Sequence, residues 1–462
     1  MSAADFQDGP DRTLVPGRGP LRPFHFPRVH RRTLANGLTV MAAEMRNFPV
    51  VTVDLVVDAG GLAEDPKRAG MATLTAGLLE SGAAGMDAEE IAERIDGLGL
   101  SLDSGVSWDT AQVGFTCLRS QLEPGFELLA GLVRDPAFPQ DEVERVCEER
   151  IATLVQRRAT PSSLADEVAN RWIFAPGSAF GRPLAGMLRT HEGIDRDEVA
   201  AFHARRYRPD AATVVAAGDA SVDEIAALAE RWFGDWRGGG DPIPPAVVTP
   251  RVEESRIVLV DRPGSVQSEI RVGHVGIERT APDFFAVTVM NAILGGTFSS
   301  RLNLNLRERL GYTYGVSSTF AARRQPGPFS MTTGVQTEVT AHAVSEMLRD
   351  YRGMREAEVT QAELDDARNY LAGVFPLGLQ TTDGVGGKVN TLATYRLPDD
   401  YWHGYREGLL AVTAADVLDA ARRRLWPERA AIVVAGDAAR IRGELEGLGL
   451  PVEVMDPAEL EA

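Results

Sequence analysis

Residues 194–220 read IDRDEVAAFHARRYRPDAATVVAAGDA, and residues 412–438 read VTAADVLDAARRRLWPERAAIVVAGDA. The two stretches align without a gap at a constant offset of 218 residues, and both end in Gly-Asp-Ala. Each copy predicts a helix with a capping-box-like start, a break at a proline, an apolar strand and a tight turn. We infer an internal duplication that gives the chain two homologous domains.

A linker separates the two copies at residues 237–254, RGGGDPIPPAVVTPRVEE. Its three consecutive glycines and four prolines cannot continue a helix or a central strand, so the segment is predicted to be extended. The remaining boundaries follow from it: a flexible N-terminal arm over residues 1–28, one domain over 29–236 and a second over 255–462.

Strand and helix patterns alternate within the first domain. The dipeptide at residues 36–37, Asn-Gly, predicts a hairpin, and the apolar run VVTVDLVV predicts a strand over residues 50–57. A helix is predicted over residues 67–79. Hairpin-like strands together with runs of helices are typical of an α+β fold. The predicted fold is therefore two homologous domains, each a mainly antiparallel β-sheet packed with α-helices.

The composition is that of an ordinary globular protein, with 44% hydrophobic and 25% charged residues among 462. A formal net charge of −18 and the lack of a basic stripe argue against nucleic-acid binding. No stretch approaches the roughly 20 apolar residues of a membrane span, and the start shows no apolar segment of signal-peptide length. We expect a cytoplasmic protein that does not contact a membrane, or a periplasmic one if a leader was removed.

The segment that carries most chemistry is residues 293–320, ILGGTFSSRLNLNLRERLGYTYGVSSTF. It predicts a Gly-Gly turn, a helix of about ten residues, and then a strand. Gly311 suits the left-handed position that ends a helix. Alternation along the strand places Tyr312, Tyr314 and Val316 on one face.

Arg307 lies in the last turn of that predicted helix. A sharp turn at Gly311 would bring it close to a tyrosine and so pair two fixed hydrogen-bond donors. In the alternative interpretation, Arg307 only complements the helix dipole, and Tyr312 and Tyr314 are half-buried strand residues.

These residues resemble the second-half signature of the insulinase/pitrilysin family, which includes the mitochondrial processing peptidases. The signature is a Gly-Gly-x-x-Ser-Ser-Arg-Leu turn and helix, an Arg-Glu pair, and a tyrosine-bearing strand after a glycine. It occupies residues 295–302, 307–308 and 311–314. Residues 31–40 and 261–274 are also similar to family segments, so the resemblance spans nearly the whole chain past residue 30. It implies the two-domain bacterial type, in which each chain is half of a clamshell around a peptide chamber.

Zinc-bearing members of that family carry H-x-x-E-H on a helix of the first domain, where two histidines bind zinc and the glutamate acts as base. Aligned on the flanking Gly70 and Gly82, these positions fall on Thr73, Ala76 and Gly77. None of the three supplies a histidine ligand or a catalytic base. The seven histidines of the chain form no H-x-x-E-H, and no two of them lie four residues apart. We predict that this chain holds no metal and that zinc belongs to a partner subunit.

In two-chain members of the family, one subunit supplies zinc and the other keeps the Arg/Tyr pair. The resemblance therefore implies a non-zinc, substrate-binding and transition-state-assisting subunit of a heterodimeric zinc endopeptidase, inactive alone. Its partner would be a homologous H-x-x-E-H subunit and its substrate a peptide. Arg307 and Tyr314 would donate to substrate in the partner's zinc site, with Tyr312 as a further substrate-binding residue. The seven-residue spacing from Arg307 favours Tyr314, and Tyr312 stays open as the functional tyrosine.

Two other functions are compatible with the sequence. The first is a catalytically inert structural or peptide-binding member of the same family. The second is independent hydrolysis from a displaced site. Glu148 and Glu149 lie in the region of the family's third zinc ligand, but without histidines we interpret them as surface residues of a helix.

Overall fold

The computed structural model describes residue 19 and residues 21–460. Its strands are β1 (Val29–Thr33), β2 (Thr39–Glu44), β3 (Val50–Val57), β4 (Gly82–Ala83), β5 (Met86–Asp87), β6 (Ser101–Val106), β7 (Ala111–Leu118), β8 (Ala212–Gly218), β9 (Arg256–Asp261), β10 (Gln267–Val275), β11 (Val316–Phe320), β12 (Pro328–Gln336), β13 (Ala431–Gly436) and β14 (Val452–Met455). The helices of the first half are α1 (Met71–Gly77), α2 (Ala88–Leu98), α3 (Leu122–Arg134), α4 (Gln140–Ala159), α5 (Pro161–Ile173), α6 (Leu188–His191), α7 (Arg196–Arg206) and α8 (Val222–Phe233). Those of the second half are α9 (Phe284–Asn291), α10 (Thr340–Gly353), α11 (Gln361–Val374), α12 (Thr382–Tyr395), α13 (Tyr405–Ala411), α14 (Ala414–Arg424) and α15 (Ala438–Glu446), with π-helical turns at Ala292–Gly296 and Asn303–Arg309.

Most of these strands form two six-stranded sheets. The orders are β1-β2-β8-β3-β7-β6 and β14-β9-β13-β10-β12-β11. The first sheet has one parallel pair, β2–β8, and the second has two, β9–β13 and β9–β14, while all other neighbours run antiparallel. The predicted α+β fold with two mainly antiparallel sheets is confirmed.

The duplication seen in the sequence is repeated in the structure. The offset of 218 residues carries α7 onto α14 and β8 onto β13, and each of these strands is third in its sheet. Asp195 caps α7 by accepting a hydrogen bond from the Glu198 backbone N–H, as Thr413 does from that of Asp416 at α14. The two sheets differ at one edge. Strand β1 pairs antiparallel with β2 in a hairpin, whereas β14 pairs parallel with β9.

Each half of the chain covers the sheet of the other half with one helix. Helix α5 packs on β10 and β13, and α12 packs on β3 and β8. Apolar residues of the helix and of the sheet are buried in a shared cluster at each contact, Val168 with Val433 in one cluster and Val389 with Val215 in the other. The two sheets are therefore parts of one packed molecule, joined by a segment, residues 236–249, without helix or strand.

Several local predictions are confirmed. The hairpin at residues 36–37 joins β1 to β2, with Gly37 at a φ of +93°, and β3 occupies the predicted residues 50–57. The helix predicted over residues 67–79 is shorter, because α1 begins after Gly70, which has a φ of +96°. A 3₁₀ turn at Pro66–Arg68 precedes it.

The predicted N-terminal arm lies mostly outside the described residues, at residues 1–18 and residue 20. Its described end packs on the second half: the Phe24 and Phe375 ring centroids are 6.1 Å apart, and Phe26 is 4% exposed. Arg406 also donates a hydrogen bond to the carbonyl of Arg22. Among the residues described, no helix is both long and apolar enough to cross a membrane.

Candidate functional site

Close packing of the π-helical turn after α9 against β11 places the start of the candidate site. A Cβ on Gly295 would lie 2.6 Å from Ser318 Oγ and 2.7 Å from its backbone nitrogen, so only glycine allows this approach. Asn291 donates to the Ser318 carbonyl at 3.0 Å and accepts from its hydroxyl at 2.8 Å. The predicted Gly-Gly turn is in fact the end of a π-helical turn at Ala292–Gly296 that is fastened to the strand.

The second helical segment, Asn303–Arg309, is fixed to the same strand. Asn303 donates to the carbonyls of Val316 at 2.7 Å and Thr297 at 3.2 Å. Gly311 then takes a φ of +66°, and its N–H donates to the Arg307 carbonyl at 3.1 Å. The predicted helix end at Gly311 is confirmed, and it reverses the chain within a few residues of Arg307.

The two tyrosines after this turn differ from the prediction. Strand β11 begins only at Val316, so Tyr312 and Tyr314 precede it and do not share a strand face. Tyr312 packs on the second-half core, and its hydroxyl is 2.7 Å from His342 Nδ1. Tyr314 is 97% exposed. The predicted shared face is wrong because the Gly311 reversal leaves Tyr312 and Tyr314 in an irregular segment before the strand.

Arg307 lies on the helical side of the reversal. Its guanidinium carbon is 4.1 Å from the ring centroid of Phe298, a cation–π distance, and its Nη1 is 3.6 Å from a Glu308 carboxylate oxygen. Nη1 is also buried without a hydrogen-bond partner. In the part of the chain that the structure describes, no hydrogen bond joins Arg307 to Tyr312 or Tyr314. The site therefore presents a held guanidinium and a free phenol.

At the family's zinc-binding position, the structure contains an arginine. Arg150 extends from α4 to α1, where its Nη2 donates to the Thr73 carbonyl at 3.3 Å. A Cβ added to Gly77 would lie 3.1 Å from the same nitrogen. The guanidinium therefore covers the face of α1 that would carry the two histidines.

These residues do not fit a zinc ion. Thr73 offers one hydroxyl, Ala76 a methyl group and Gly77 no side chain, while Arg150 brings a positive charge. Glu148 and Glu149 are exposed on α4, as predicted. Within the described ranges, no group of three or more His, Cys, Asp or Glu side chains is placed to hold a metal.

Comparison with known proteins identifies the family. The model of the insulinase family, peptidase family M16, matches residues 39–170, and that of the peptidase M16 inactive domain matches residues 193–371. The chain belongs to peptidase family M16.

M16 relatives of similar length are found in several bacteria. An uncharacterized zinc protease of Mycobacterium leprae is 26% identical over 77% of this chain and 80% of its own length. A Helicobacter pylori protein named as a non-peptidase homolog is 25% identical over 79% of this chain and 84% of its own. The crystal structure of an M16 inactive domain from Pseudomonas fluorescens superposes with a TM-score of 0.83 at 27% identity, covering 88% of this chain and 98% of that one.

The sequence did not predict three residues that contact the candidate site or the degenerate zinc motif: Arg150, Phe298 and His342. A signal for Arg150 exists, because it continues the buried stripe of α4 formed by Val143, Cys147 and Leu154 at helical spacing. No comparable pattern marks Phe298 or His342, since each acts through a contact made only in the folded chain.

One further carboxylate organises the degenerate motif. Glu64 Oε1 accepts hydrogen bonds from the Gly70 and Ala72 backbone N–H groups, at 3.2 and 2.8 Å, and so caps α1 from a distance. Its Oε2 is 3.2 Å from Arg182 Nη2. Burial raises the pKa of Glu64 to about 7, against the lowering effect of the two backbone donors and Arg182.

Proposed function

We propose that this chain is the non-zinc, substrate-binding subunit of a heterodimeric zinc endopeptidase. Its partner is a homologous M16 chain that carries H-x-x-E-H, and its substrate is a peptide. The observation that carries the proposal is a contrast within one molecule. The metal positions on α1 are filled by Arg150, whereas the partly exposed side chain of Arg307 and the almost fully exposed one of Tyr314 stand beside an intact turn.

The chemistry of peptide hydrolysis gives such donors a use. Attack on the scissile carbonyl produces an oxyanion, and preorganised donors aimed at it lower the barrier. The guanidinium of Arg307, held on Phe298, and the unpartnered hydroxyl of Tyr314 meet this need when a substrate carbonyl lies between them. They also suit binding of substrate backbone carbonyls.

The sheet edges support peptide binding. Strand β11 is an edge strand of the second sheet and begins two residues after Tyr314, and β6 is the equivalent edge of the first sheet. An extended peptide binds such an edge through main-chain hydrogen bonds. Residues of β6 alternate between exposed and half-buried, which leaves one face open to a partner.

Reconstitution tests the proposal. The chain is co-expressed with an H-x-x-E-H partner, purified as a complex, and assayed on a quenched fluorescent peptide. Arg307→Ala is expected to lower kcat/KM of the complex by about 100- to 1000-fold, the effect of removing one oxyanion donor. The matched control is Arg442→Ala, an exposed arginine on α15.

Two results would overturn the proposal: full activity of the Arg307→Ala complex, or peptidase activity of this chain alone at the level of the complex. The name of the Helicobacter relative, a non-peptidase homolog, favours one alternative. That alternative is an inert structural or peptide-binding member, for which a complex without any peptidase activity is the expected outcome.

A further inference from the structure

A cavity of about 460 Å³ lies where the degenerate zinc motif meets the second half of the chain. Thr73 of α1 and Arg150 of α4 form part of its wall, with Trp108 after β6 and Arg182 from the loop after α5. Arg323, from the segment between β11 and β12, closes it from the other domain. The cavity is therefore built mainly by the first half of the chain, and the second half adds Arg323 to its wall.

Four arginines line this cavity: Arg150, Arg157, Arg182 and Arg323. Its two acidic lining residues already have cationic partners outside it. Asp166 pairs with Arg271, and Glu167 pairs with Arg158 at 3.2 Å. The lining thus carries an excess of positive charge within an acidic protein.

The hydrogen-bonding capacity of these arginines is not used up by the protein. Nε and Nη1 of Arg182 and Nη1 of Arg323 are buried without a hydrogen-bond partner. Arg182 makes its only described polar contacts through Nη2, to Glu64 and the Gly61 carbonyl. Arg182 and Arg323 thus keep donors that no acceptor of the protein satisfies, and the positive charge of their guanidinium groups favours an anion in the adjoining cavity.

Aromatic rings hold two of these guanidinium groups. The Arg323 guanidinium carbon is 5.1 Å from the Trp108 ring centroid and 4.4 Å from that of Phe180, and Arg182 is 5.6 Å from Trp108. Burial lowers the pKa of Arg323 to about 10, partly offset by Asp109, so its charge persists at neutral pH. The cations are therefore fixed before any ligand binds.

We propose that this cavity binds a peptide carboxylate, that of the C-terminal residue, through Arg150, Arg182 and Arg323. Planar guanidinium groups match a carboxylate in shape and charge. Trp108, Leu154 and Phe180 add apolar walls for the side chain that accompanies it. An arginine-lined anion site thus stands where zinc-bearing members hold a cation.

A peptide is the favoured source because the cavity adjoins a strand edge. Val106, the last residue of edge strand β6, also lines the cavity, so a peptide paired with β6 would bring one end to it. The choice of a peptide rests on the proposed function, whereas the anion site rests on the arginines alone.

Calorimetric titration of the full chain without a partner tests this. The probe is acetyl-Gly-Gly-Leu with a free carboxylate, compared with the same peptide amidated. We expect the free acid to bind at least tenfold more tightly. Arg150→Gln and Arg323→Gln should each weaken its binding about tenfold or more, the usual effect of losing a charge-assisted hydrogen bond. Arg145→Gln, at an exposed position on the same helix as Arg150, should leave binding unchanged.

Equal affinity for acid and amide would overturn the proposal, as would an equal loss in Arg145→Gln and Arg150→Gln. Acetyl-Gly-Glu-Leu amide separates the sources: if it binds as tightly as the free acid, an acidic side chain is the ligand and the C-terminal assignment is wrong. Since either arginine variant suffices, failure of one to fold leaves the other decisive. Arg307→Ala should still bind the free acid, so loss of this site and loss of the proposed function are separable.

Discussion

Tyr312 and Tyr314 are two residues apart but lie in opposite environments, one bonded and packed within the protein and the other exposed to solvent. The Tyr312 hydroxyl bonds His342 and its ring packs on the core, whereas Tyr314 is almost fully exposed. A donor already bonded within the protein is poorly placed to bind substrate. The structure therefore distinguishes two tyrosines between which the sequence offered only a difference in spacing from Arg307.

This difference gives a prediction for the reconstituted complex. Tyr314→Phe should lower kcat/KM by about tenfold or more, because it removes a free donor. Tyr312→Phe should change kcat/KM less than threefold and instead cost about 1 kcal/mol of unfolding free energy, the usual net value of one hydrogen bond. Steady-state kinetics and urea unfolding of both variants test this, and the reverse pattern would assign the functional role to Tyr312.

Glu64 predicts a pH-dependent stability. The folded-state pKa of about 7 lies above the ordinary value of 4.5, so between these values the folded chain holds a proton that the unfolded chain has lost. Stability contributed by this protonation falls as pH rises through 7. From pH 6 to pH 8 we expect a loss of about 1 kcal/mol that Glu64→Gln does not show. Urea unfolding at both pH values measures it.

The exposed Glu93→Gln on α2 serves as the control and should follow the wild type across the same pH range. A Glu64→Gln variant whose stability declines with pH as steeply as the wild type would show that this carboxyl does not titrate near neutrality.

Between α9 and β12, local sequence signals predicted part of the structure and failed for the rest. The helix end at Gly311 was predictable because a glycine directly after a helical pattern is the usual sequence signal for a left-handed helix end. The π-helical turns and the late start of β11 were not, because they depend on Asn291 and Asn303 bonding a strand distant in sequence. Likewise, the residue types at 73, 76 and 77 were enough to exclude a zinc site. They could not predict that the Arg150 guanidinium lies against this face of α1.

Two glycines in this helix–turn–strand element should respond differently to alanine. Gly311 has open space around its Cβ position but a φ of +66°, so Gly311→Ala should cost only the backbone penalty, about 1 kcal/mol. Gly295→Ala should cost more, about 1–3 kcal/mol, because its Cβ would overlap Ser318. Gly353→Ala is the control, since its φ is ordinary and nothing lies near its Cβ position.

Denaturant unfolding gives the order of the three variants. If Gly311→Ala were the most destabilising of the three, its cost would exceed the backbone penalty at a positive φ, and the expectation for this turn would be wrong. Assay of the reconstituted complex adds a second measure, because a changed turn would also displace Tyr314.

At the scale of the whole molecule, two helices pack on the sheet formed by the other half of the chain. Helix α5 belongs by sequence to the first half, and α12 to the second, yet each lies on the opposite sheet. The duplication in the sequence predicted two similar domains. It did not predict this exchange. The apolar stripes on α5 and α12 indicate that one face of each helix is buried, but they do not indicate which sheet covers that face.

The exchange predicts crossed effects on hydrogen exchange. Leu392→Ala on α12 should cost about 2–5 kcal/mol and speed amide exchange in β3 and β8, in the other half of the chain. Leu164→Ala on α5 should do the same to β10 and β13. Leu304→Ala, which is 53% exposed, should alter neither sheet. Mass spectrometry of exchanged peptides resolves these strands. Were each variant to affect only the sheet of its own half, the two halves would be independent units, and Arg323 would not be held in the wall of a cavity built by the first half.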